Sequence, residues 1–265
     1  MLEVKGLYKT FNAGSVNEKK ALSGIDLTLN DGDFVTVIGG NGAGKSTMLN
    51  MIAGVYPVDK GTITIDGINV TKLSEHKRAK YIGRVFQDPR MGTASDMWLE
   101  ENLAIANRRG KFRGLNWAIS GKERKEFKEM LATLDLGLEN RLTTKVGLLS
   151  GGQRQAVTLL MAVMNHPKLL LLDEHTAALD PKTAKNVLEL SDKFIEENNL
   201  TALMVTHNMR DAIAHGNRLI MMNEGRIILD VSGEEKKNLT VEELLEEFAK
   251  LSGSEFANDR ALLAN

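Results

Sequence analysis

An α/β fold with a parallel central sheet is what this sequence predicts, and three features predict it. Short strand patterns alternate with helical ones in both the first and last parts of the chain. The strands read as buried runs, Leu169-Leu170-Leu171-Leu172 being the most apolar. A block of helical periodicity from about Pro89 to Asn165 interrupts the alternation and reads as an insertion.

Each element has its own signal. Ile25 to Leu29 alternates apolar and polar residues, Phe34 to Ile38 is rich in strand formers and runs into glycines, and Thr62 to Ile65 alternates before the turn pair Asp66-Gly67. A helix is expected over Lys45 to Ala53, directly after the glycines, and a strand over Tyr81 to Phe86. Glu123 to Leu134 is the clearest amphipathic helix of the middle block. Strand and helix then alternate through Leu169 to Leu172, Pro181 to Glu197, Ala202 to Val205 and Met209 to His215. Arg218 to Met222 and Arg226 to Leu229, joined through Asn223-Glu224-Gly225, read as a hairpin. Thr240 with Glu243, ahead of Leu244-Leu245, is a capping-box pattern for a last helix. The prolines fall between periodic segments, and no internal repeat or low-complexity tract divides the 265 residues.

Composition excludes several classes of function. Lys and Arg total 34 against 35 Asp and Glu, a net charge of −1, which argues against a nucleic-acid partner and against general attraction to anionic membranes. With no cysteine there is no disulfide, thiolate metal site or cysteine nucleophile. No apolar run approaches the roughly 20 residues of a spanning helix, and the polar start Met-Leu-Glu-Val-Lys-Gly has no secretory pattern. A cytoplasmic chain is expected, reaching a membrane only through a partner.

Chemistry enters with Gly39-Gly40-Asn41-Gly42-Ala43-Gly44-Lys45-Ser46, which fits the phosphate-loop pattern G-x-x-x-x-G-K-[ST] between an expected strand and an expected helix. Glycines let the backbone curl so that successive N–H groups point inward, and the helix that follows adds its partial positive charge. Lys45 supplies a mobile cation for terminal phosphates, Ser46 a hydroxyl for Mg²⁺, and Thr47 a donor for an α-phosphate. A ligand-free glycine turn is the plainer reading, and the flanking strand and helix weigh against it.

Leu169 to Leu172 ends in Asp173-Glu174. A buried strand delivering Asp173 at its C-terminal end is how Mg²⁺ is held opposite the phosphate-loop serine, and Glu174 is then placed to polarise an attacking water. Leu149-Ser150-Gly151-Gly152-Gln153 arises by chance in on the order of one in a few thousand such chains. Ser150 reads as a helix N-cap, but an ordinary cap leaves Gly151 and Gly152 unexplained, since each weakens a helix by up to about 1 kcal/mol. A second helix end facing a phosphate is the better account.

In this motif order the chain resembles the ATP-binding cassette (ABC) ATPases from about residue 2 to 233. The resemblance implies a P-loop NTPase fold whose mostly parallel central sheet carries an N-terminal antiparallel β part. An ATPase domain at 1–235, a helical subdomain at about 89–160 and a short C-terminal helical tail at 236–265 are expected. The family arrangement also implies that Ser150, Gly151, Gly152 and Gln153 face the ATP held by a second copy in a head-to-tail sandwich. Gln87 matches a glutamine that senses Mg²⁺ and water, although by itself it reads as a polar residue closing a strand. His207 matches a histidine that contacts the γ-phosphate, although a lone histidine after a strand is more often a surface residue. Ala178-Leu179-Asp180 matches the loop crossing the dimer interface, and Asp180 before Pro181 is equally a natural N-cap. Phe11 stands where the family stacks an aromatic on adenine, with Tyr8 as the second choice and plain core as the other reading of Phe11. Where the family often has proline after the glutamate, this chain has His175, read as a branch marker and not a second base. Asp173, Glu174, His175 and His207 read as one carboxylate on Mg²⁺ better than as a metal cluster.

The resemblance therefore implies a transport-coupled ATPase in which Glu174, His207, Lys45 and Gln87 act on ATP, with Ser46, Gln87 and Asp173 around Mg²⁺. The expected partner is a separate integral membrane permease, with an extracytoplasmic substrate-binding protein, for uptake of a small organic solute such as an amino acid. Trp98, in the segment Gly92 to Asn102 after Gln87, is a candidate permease contact, with a core or cap role weighing as much. A soluble assembly ATPase of the iron–sulfur cluster type and an export ATPase are the alternatives. Cassettes with two phosphate loops in one chain, or with a long coiled coil between Lys45 and Asp173, do not match.

Overall fold

The computed structural model describes residues 1–111 and 119–252. The end of the expected C-terminal tail and a short stretch of the middle block lie outside the described residues. In chain order the elements are β1 (Leu2–Phe11), β2 (Lys19–Leu29), β3 (Phe34–Ile38), α1 (Lys45–Ala53), β4 (Lys60–Ile65), β5 (Ile68–Asn69), α2 (Glu75–Arg78) and β6 (Ile82–Val85). They continue as α3 (Leu99–Asn107), α4 (Gly121–Ala132), α5 (Gly151–Val163), β7 (Leu169–Asp173), α6 (Pro181–Glu197), β8 (Ala202–Val205) and α7 (Met209–Ala214). β9 (Arg218–Asn223), β10 (Arg226–Ser232), α8 (Gly233–Asn238) and α9 (Val241–Ser252) complete the described chain. Two compact units result: Met1–Arg78 with the described chain from Asn199, and Ala79–Asn198.

In the first unit β2-β1-β4-β5 form an antiparallel sheet, and β10-β9-β3-β8 are consecutive neighbours in another. β3 runs parallel to both β8 and β9, with Val37 opposite Val205 and Ile220. All five residues of β3 and all four of β8 are buried, which is why their sequences show no polar alternation. The β9–β10 turn is Glu224-Gly225, both at positive φ (47° and 73°), the backbone a tight two-residue hairpin needs. β1 and β2 run further than the alternation at Ile25 to Leu29 suggests, because bulges let polar residues stay in the ladder.

The C-terminal segment supplies core to the same unit. Leu244 and Phe248 of α9 pack with Met209 and Ala212 of α7 and Leu219 and Met221 of β9. The expected capping box forms, Thr240 Oγ1 accepting from Glu243 N–H while Glu243 accepts from Thr240 N–H.

The second unit holds the middle block together with one β-pair and α6. β6 and β7 are parallel, from Ile82 opposite Leu169 to Val85 opposite Leu172. α5 packs on β6 and on α6. α6 starts at Asp180, whose side chain accepts from Thr183 N–H, with Pro181 in the first helical position, and it buries Val187, Leu188, Phe194 and Ile195.

Arg78 anchors α1. It is 1% exposed, and its guanidinium donates to the carbonyls of Met51 (2.7 Å) and Ile52 (2.8 Å) in the last turn of α1, and to Leu73 and Thr71. A planar cation here meets the negative end of the helix and the carbonyls that end leaves unpaired. Gly54 at φ +87° makes room, since a Cβ there would lie 2.8 Å from Arg78 Nε. Arg78→Met strands these buried carbonyls and is expected to cost about 3 kcal/mol, read as a lowered urea midpoint, with Arg78→Lys restoring only part.

Candidate active site

The first unit builds an anion cradle. β3 ends at Ile38, and the chain turns through Gly39 (φ +150°), Gly42 (φ +81°) and Gly44 (φ +101°) before α1 begins at Lys45. Close approach as well as conformation requires glycine at two of these positions. A Cβ on Gly39 would lie 2.1 Å from the Met222 carbonyl oxygen, and one on Gly44 2.7 Å from that of Ala21. Gly225 of the β9–β10 turn donates its N–H to Ala43 O at 3.0 Å, bracing the loop from behind.

α1 starts without a side-chain cap and without an acidic residue in its first turn, so its leading N–H groups face outward uncompensated. Lys45 is 6% exposed, and its ammonium folds back on the loop, donating to Gly39 O (2.7 Å) and Gly40 O (3.3 Å). The Ser46 side chain is exposed and Thr47 half-buried. Bare helix N–H groups, an inward curl of glycines and a cation held at the rim fit a polyphosphate.

His207 reaches the same end of the sheet. Past β8 the chain stays on β3, with Thr206 N–H donating to Val37 O at 3.1 Å, so His207 emerges beside the start of the loop and is exposed. Asp211 on α7 lies within electrostatic range of it. Burial pushes the Asp211 carboxyl up, with His215 and His207 acting the other way. Phe11 closes β1 as a half-buried ring, edge-on to Tyr56 with centroids 5.3 Å apart and with Lys9 Nζ 5.6 Å from its centroid. Tyr8 is more exposed, at 45%.

The second unit carries the acidic strand end and the signature segment, Ser150 to Gln153. The β6–β7 register sets Val85 against Leu172, so Gln87 and Glu174 each follow two residues after paired positions. Asp173 Oδ2 accepts from the Arg84 guanidinium at 3.1 Å, and that guanidinium stacks 4.5 Å from the Phe86 ring. Buried Gln155 on α5 donates to Phe86 O at 3.1 Å, fixing the strand end that leads to Gln87. Glu174 sits at φ +45°, outside the ordinary backbone regions of a side-chain-bearing residue. None of Arg84, Gln155 or Asp211 stands out in the sequence, because a polar residue on a strand or helix signals nothing until its contacts are known.

Ser150 caps α5 as expected, accepting from Gln153 N–H while Gln153 Oε1 accepts from Ser150 N–H, both at 3.2 Å. Gly152 also has a packing reason that sequence reading missed. A Cβ there would lie 2.1 Å from Thr183 Cγ2, so the glycine lets α5 and the start of α6 meet. Leu179 of the Ala178-Leu179-Asp180 loop lies beside Gly151 at ordinary contact distance, a Cβ there meeting its Cδ2 at 3.4 Å. Hydrogen bonds from Thr183 hold the Asp180 carboxyl below the usual carboxylate range. A cavity of about 450 Å³ opens beside Ser150, Gly152 and Gln153 against Val187 and Leu190 of α6.

The site residues thus group as Phe11, Gly39 to Thr47 and His207 in one unit, and Gln87, Ser150 to Gln153, Asp173, Glu174 and Ala178 to Asp180 in the other. Among the described residues no three His, Asp or Glu side chains gather as a metal cluster. The oxygen donors suited to a hard Mg²⁺ ion are the Ser46 hydroxyl, the Asp173 carboxylate and the Gln87 amide, and their chemistry fits that ion. Among the described residues no helix is long and apolar enough to cross a membrane.

Known proteins place this geometry. The family model described as "ABC transporter" matches residues 22–177. The chain is 46% identical to a tyrosine transport ATP-binding protein of Clostridioides difficile (strain R20291), over 94% of this chain and 98% of the relative. It is 34% identical to the aliphatic sulfonates import ATP-binding protein SsuB 2 of Agrobacterium fabrum (strain C58 / ATCC 33970), over 88% and 80%. It is also 34% identical to the macrolide export ATP-binding/permease protein MacB of Neisseria meningitidis serogroup B, over 88% of this chain but 35% of that protein. Among solved structures, the ATP-binding cassette MJ0796, a dimer in a post-hydrolysis state with ADP and Pi, superposes with a TM-score of 0.74 at 32% identity, over 88% and 98% of the two chains. Phosphate loop, signature helix and acidic strand end, taken with these matches, make the chain a member of the ABC transporter ATP-binding family.

Proposed function

We propose that this chain is the ATP-hydrolysing subunit of an importer for a small organic solute, an amino acid by preference, and that it works through a separate permease. The observation that carries the ATPase half is the phosphate cradle, with glycines at positive φ, an uncapped α1 and the Lys45 ammonium folded over the loop. The end-to-end match to a tyrosine transport ATP-binding protein supports the importer half. Export is the second reading, favoured by MacB, but there the similarity spans only the part of a longer protein that this chain covers.

The residues divide the work by their chemistry. The N–H groups of Gly42 to Thr47 bind the phosphates, and Lys45 leaves its carbonyl partners for the terminal phosphates. Phe11 offers a face for the adenine. Ser46, Asp173 and Gln87 are the residues that would hold Mg²⁺, which would supply charge neutralisation for the transferred phosphoryl group. Glu174 takes a proton from the attacking water, and His207 donates to the γ-phosphate. Ser150, Gly151, Gly152 and Gln153 present the α5 N-terminus to the ATP of a second copy, with Ala178-Leu179-Asp180 at the join. ATP then acts as the adhesive of a head-to-tail dimer, and hydrolysis releases it.

A permease surface is available on the second unit. Trp98 stands at the start of α3, 45% exposed, its N–H donated to Glu101. The segment before it is tied to the stretch that follows Thr144 by Val146 N–H to Met97 O and Gly147 N–H to Ser95 O. Leu148, just beyond, is 73% exposed. Apolar side chains held outward on a braced loop suit a docking helix. With the chain bound there, the ATPase sits on the inner face of the cell membrane, and an extracytoplasmic binding protein delivers the solute.

Lys45→Ala is expected to weaken ATP binding at least tenfold in equilibrium titration, since the loop keeps its shape but loses its cation. Glu174→Gln is expected to bind ATP normally, lower turnover by about 10²- to 10⁴-fold and accumulate as a dimer in size-exclusion chromatography with light scattering. Turnover at the wild-type rate would remove Glu174 from its role. Affinity purification from detergent-solubilised native membranes is expected to recover one permease pair per two copies of the chain. Trp98→Ala should reduce that recovery while basal ATPase holds, and recovery of soluble partners alone would overturn the importer reading.

A further inference from the structure

His175 follows Glu174 and is 2% exposed, a buried titratable side chain to which the scheme above gives no task. Its Nε2 lies 3.0 Å from the hydroxyl of Ser191, a residue of α6 that is itself fully buried. That hydroxyl also lies 2.8 Å from the Val187 carbonyl, which can only accept. Ser191 therefore donates its single hydrogen to Val187, and its oxygen accepts from His175. The ring is thereby fixed as the Nε2–H tautomer, hung from the middle of a helix whose own start is locked by Asp180 and Pro181.

The neighbouring backbone is the reason such an anchor matters. Glu174 holds φ +45°, a conformation that persists only where its surroundings over-determine it. On one side Asp173 is tied to Arg84, and β7 is locked to β6 up to Leu172. On the other side the Glu174 carbonyl accepts from Ala177 N–H at 3.0 Å, and His175 is pinned to α6. Proline in place of His175 would leave this side of the turn without a side-chain bond to α6. Histidine nails that side down.

We infer that His175, held by Ser191, is a positioning residue that keeps Glu174 in its left-handed conformation and so aims its carboxylate at the attacking water. This rests on the reading of Glu174 as the water-polarising group. It makes His175 a working part of the site and not only a branch marker.

The test is steady-state ATPase and nucleotide affinity of the full chain. His175→Ala and Ser191→Ala are each expected to lower kcat about ten- to a hundredfold with KM for ATP within twofold, the size seen when an orienting partner is removed. Together they should cost little more than either alone, because both break one link. His175→Gln, whose amide nitrogen replaces the Nε2–H donor, is expected to recover most of the rate. Nitrogen-15 NMR of the wild-type ring should show the Nε2–H tautomer. Ser191→Ala removes one oxygen only, so it decides the matter if His175→Ala fails to fold. Near-normal kcat in Ser191→Ala, an Nδ1–H ring, or a His175→Gln protein as slow as His175→Ala would overturn the positioning role while an inactive Glu174→Gln left Glu174 in place. Normal turnover in Glu174→Gln would overturn both.

Discussion

Backbone packed directly on backbone at the phosphate loop constrains everything around it. Gly39 lies against the Met222 carbonyl and Gly44 against that of Ala21, so β9 and β2 must stand where they do for the loop to close. The β9–β10 turn then inserts between them, with Gly225 bonded to Ala43 in front and Ser23 N–H bonded to Gly225 O behind. Lys45 can cover the loop only because its carbonyls are thereby turned inward. A side chain at either glycine would separate strands and not merely a loop from its ligand. Arg78 completes the frame at the far end of α1, so the helix that offers its N-terminus to phosphate is held at both ends.

A different device organises the acidic residues. Here the parallel register of β6 and β7 does the placing, delivering Gln87 and Glu174 from matched positions on neighbouring strands. Side chains then tie down each exit. Gln155 holds the carbonyl before Gln87, Arg84 holds Asp173, and the His175–Ser191 link holds the residue after Glu174. The signature helix joins the same scheme through Gly152, which lets α5 touch Thr183 beside the Asp180 cap. The residue after Glu174 and the Asp180 cap therefore both lean on α6, through Ser191 and Thr183.

Much of this was legible without coordinates. Bounds such as Phe34–Ile38, Lys45–Ala53, Pro181–Glu197 and Ala202–Val205 coincide with the observed elements, because buried strands, the glycines at either end of α1 and the Asp180-Pro181 start of α6 write their limits in residue type. β1 was less legible, since its bulged, half-polar ladder follows no clean alternation. The C-terminal helices were read as a tail, yet α9 contributes Leu244 and Phe248 to the first unit's core, a partnership that no local pattern announces.

The sequence by itself determined the chemistry. A phosphate loop, an acidic strand end and a capped glycine pair are local patterns, and their function depends on atoms close together in the chain. Only the tertiary structure decided which polar residues hold those groups in place. Arg84, Gln155, Ser191 and Asp211 are ordinary letters on strands and helices, and their meaning lies in partners 16 to 89 residues away or in burial. His175 sits between the two cases. Its position was visible in the sequence, but its task depends on Ser191 a full helix segment later and on the backbone angle of Glu174, and neither is encoded in the residue itself.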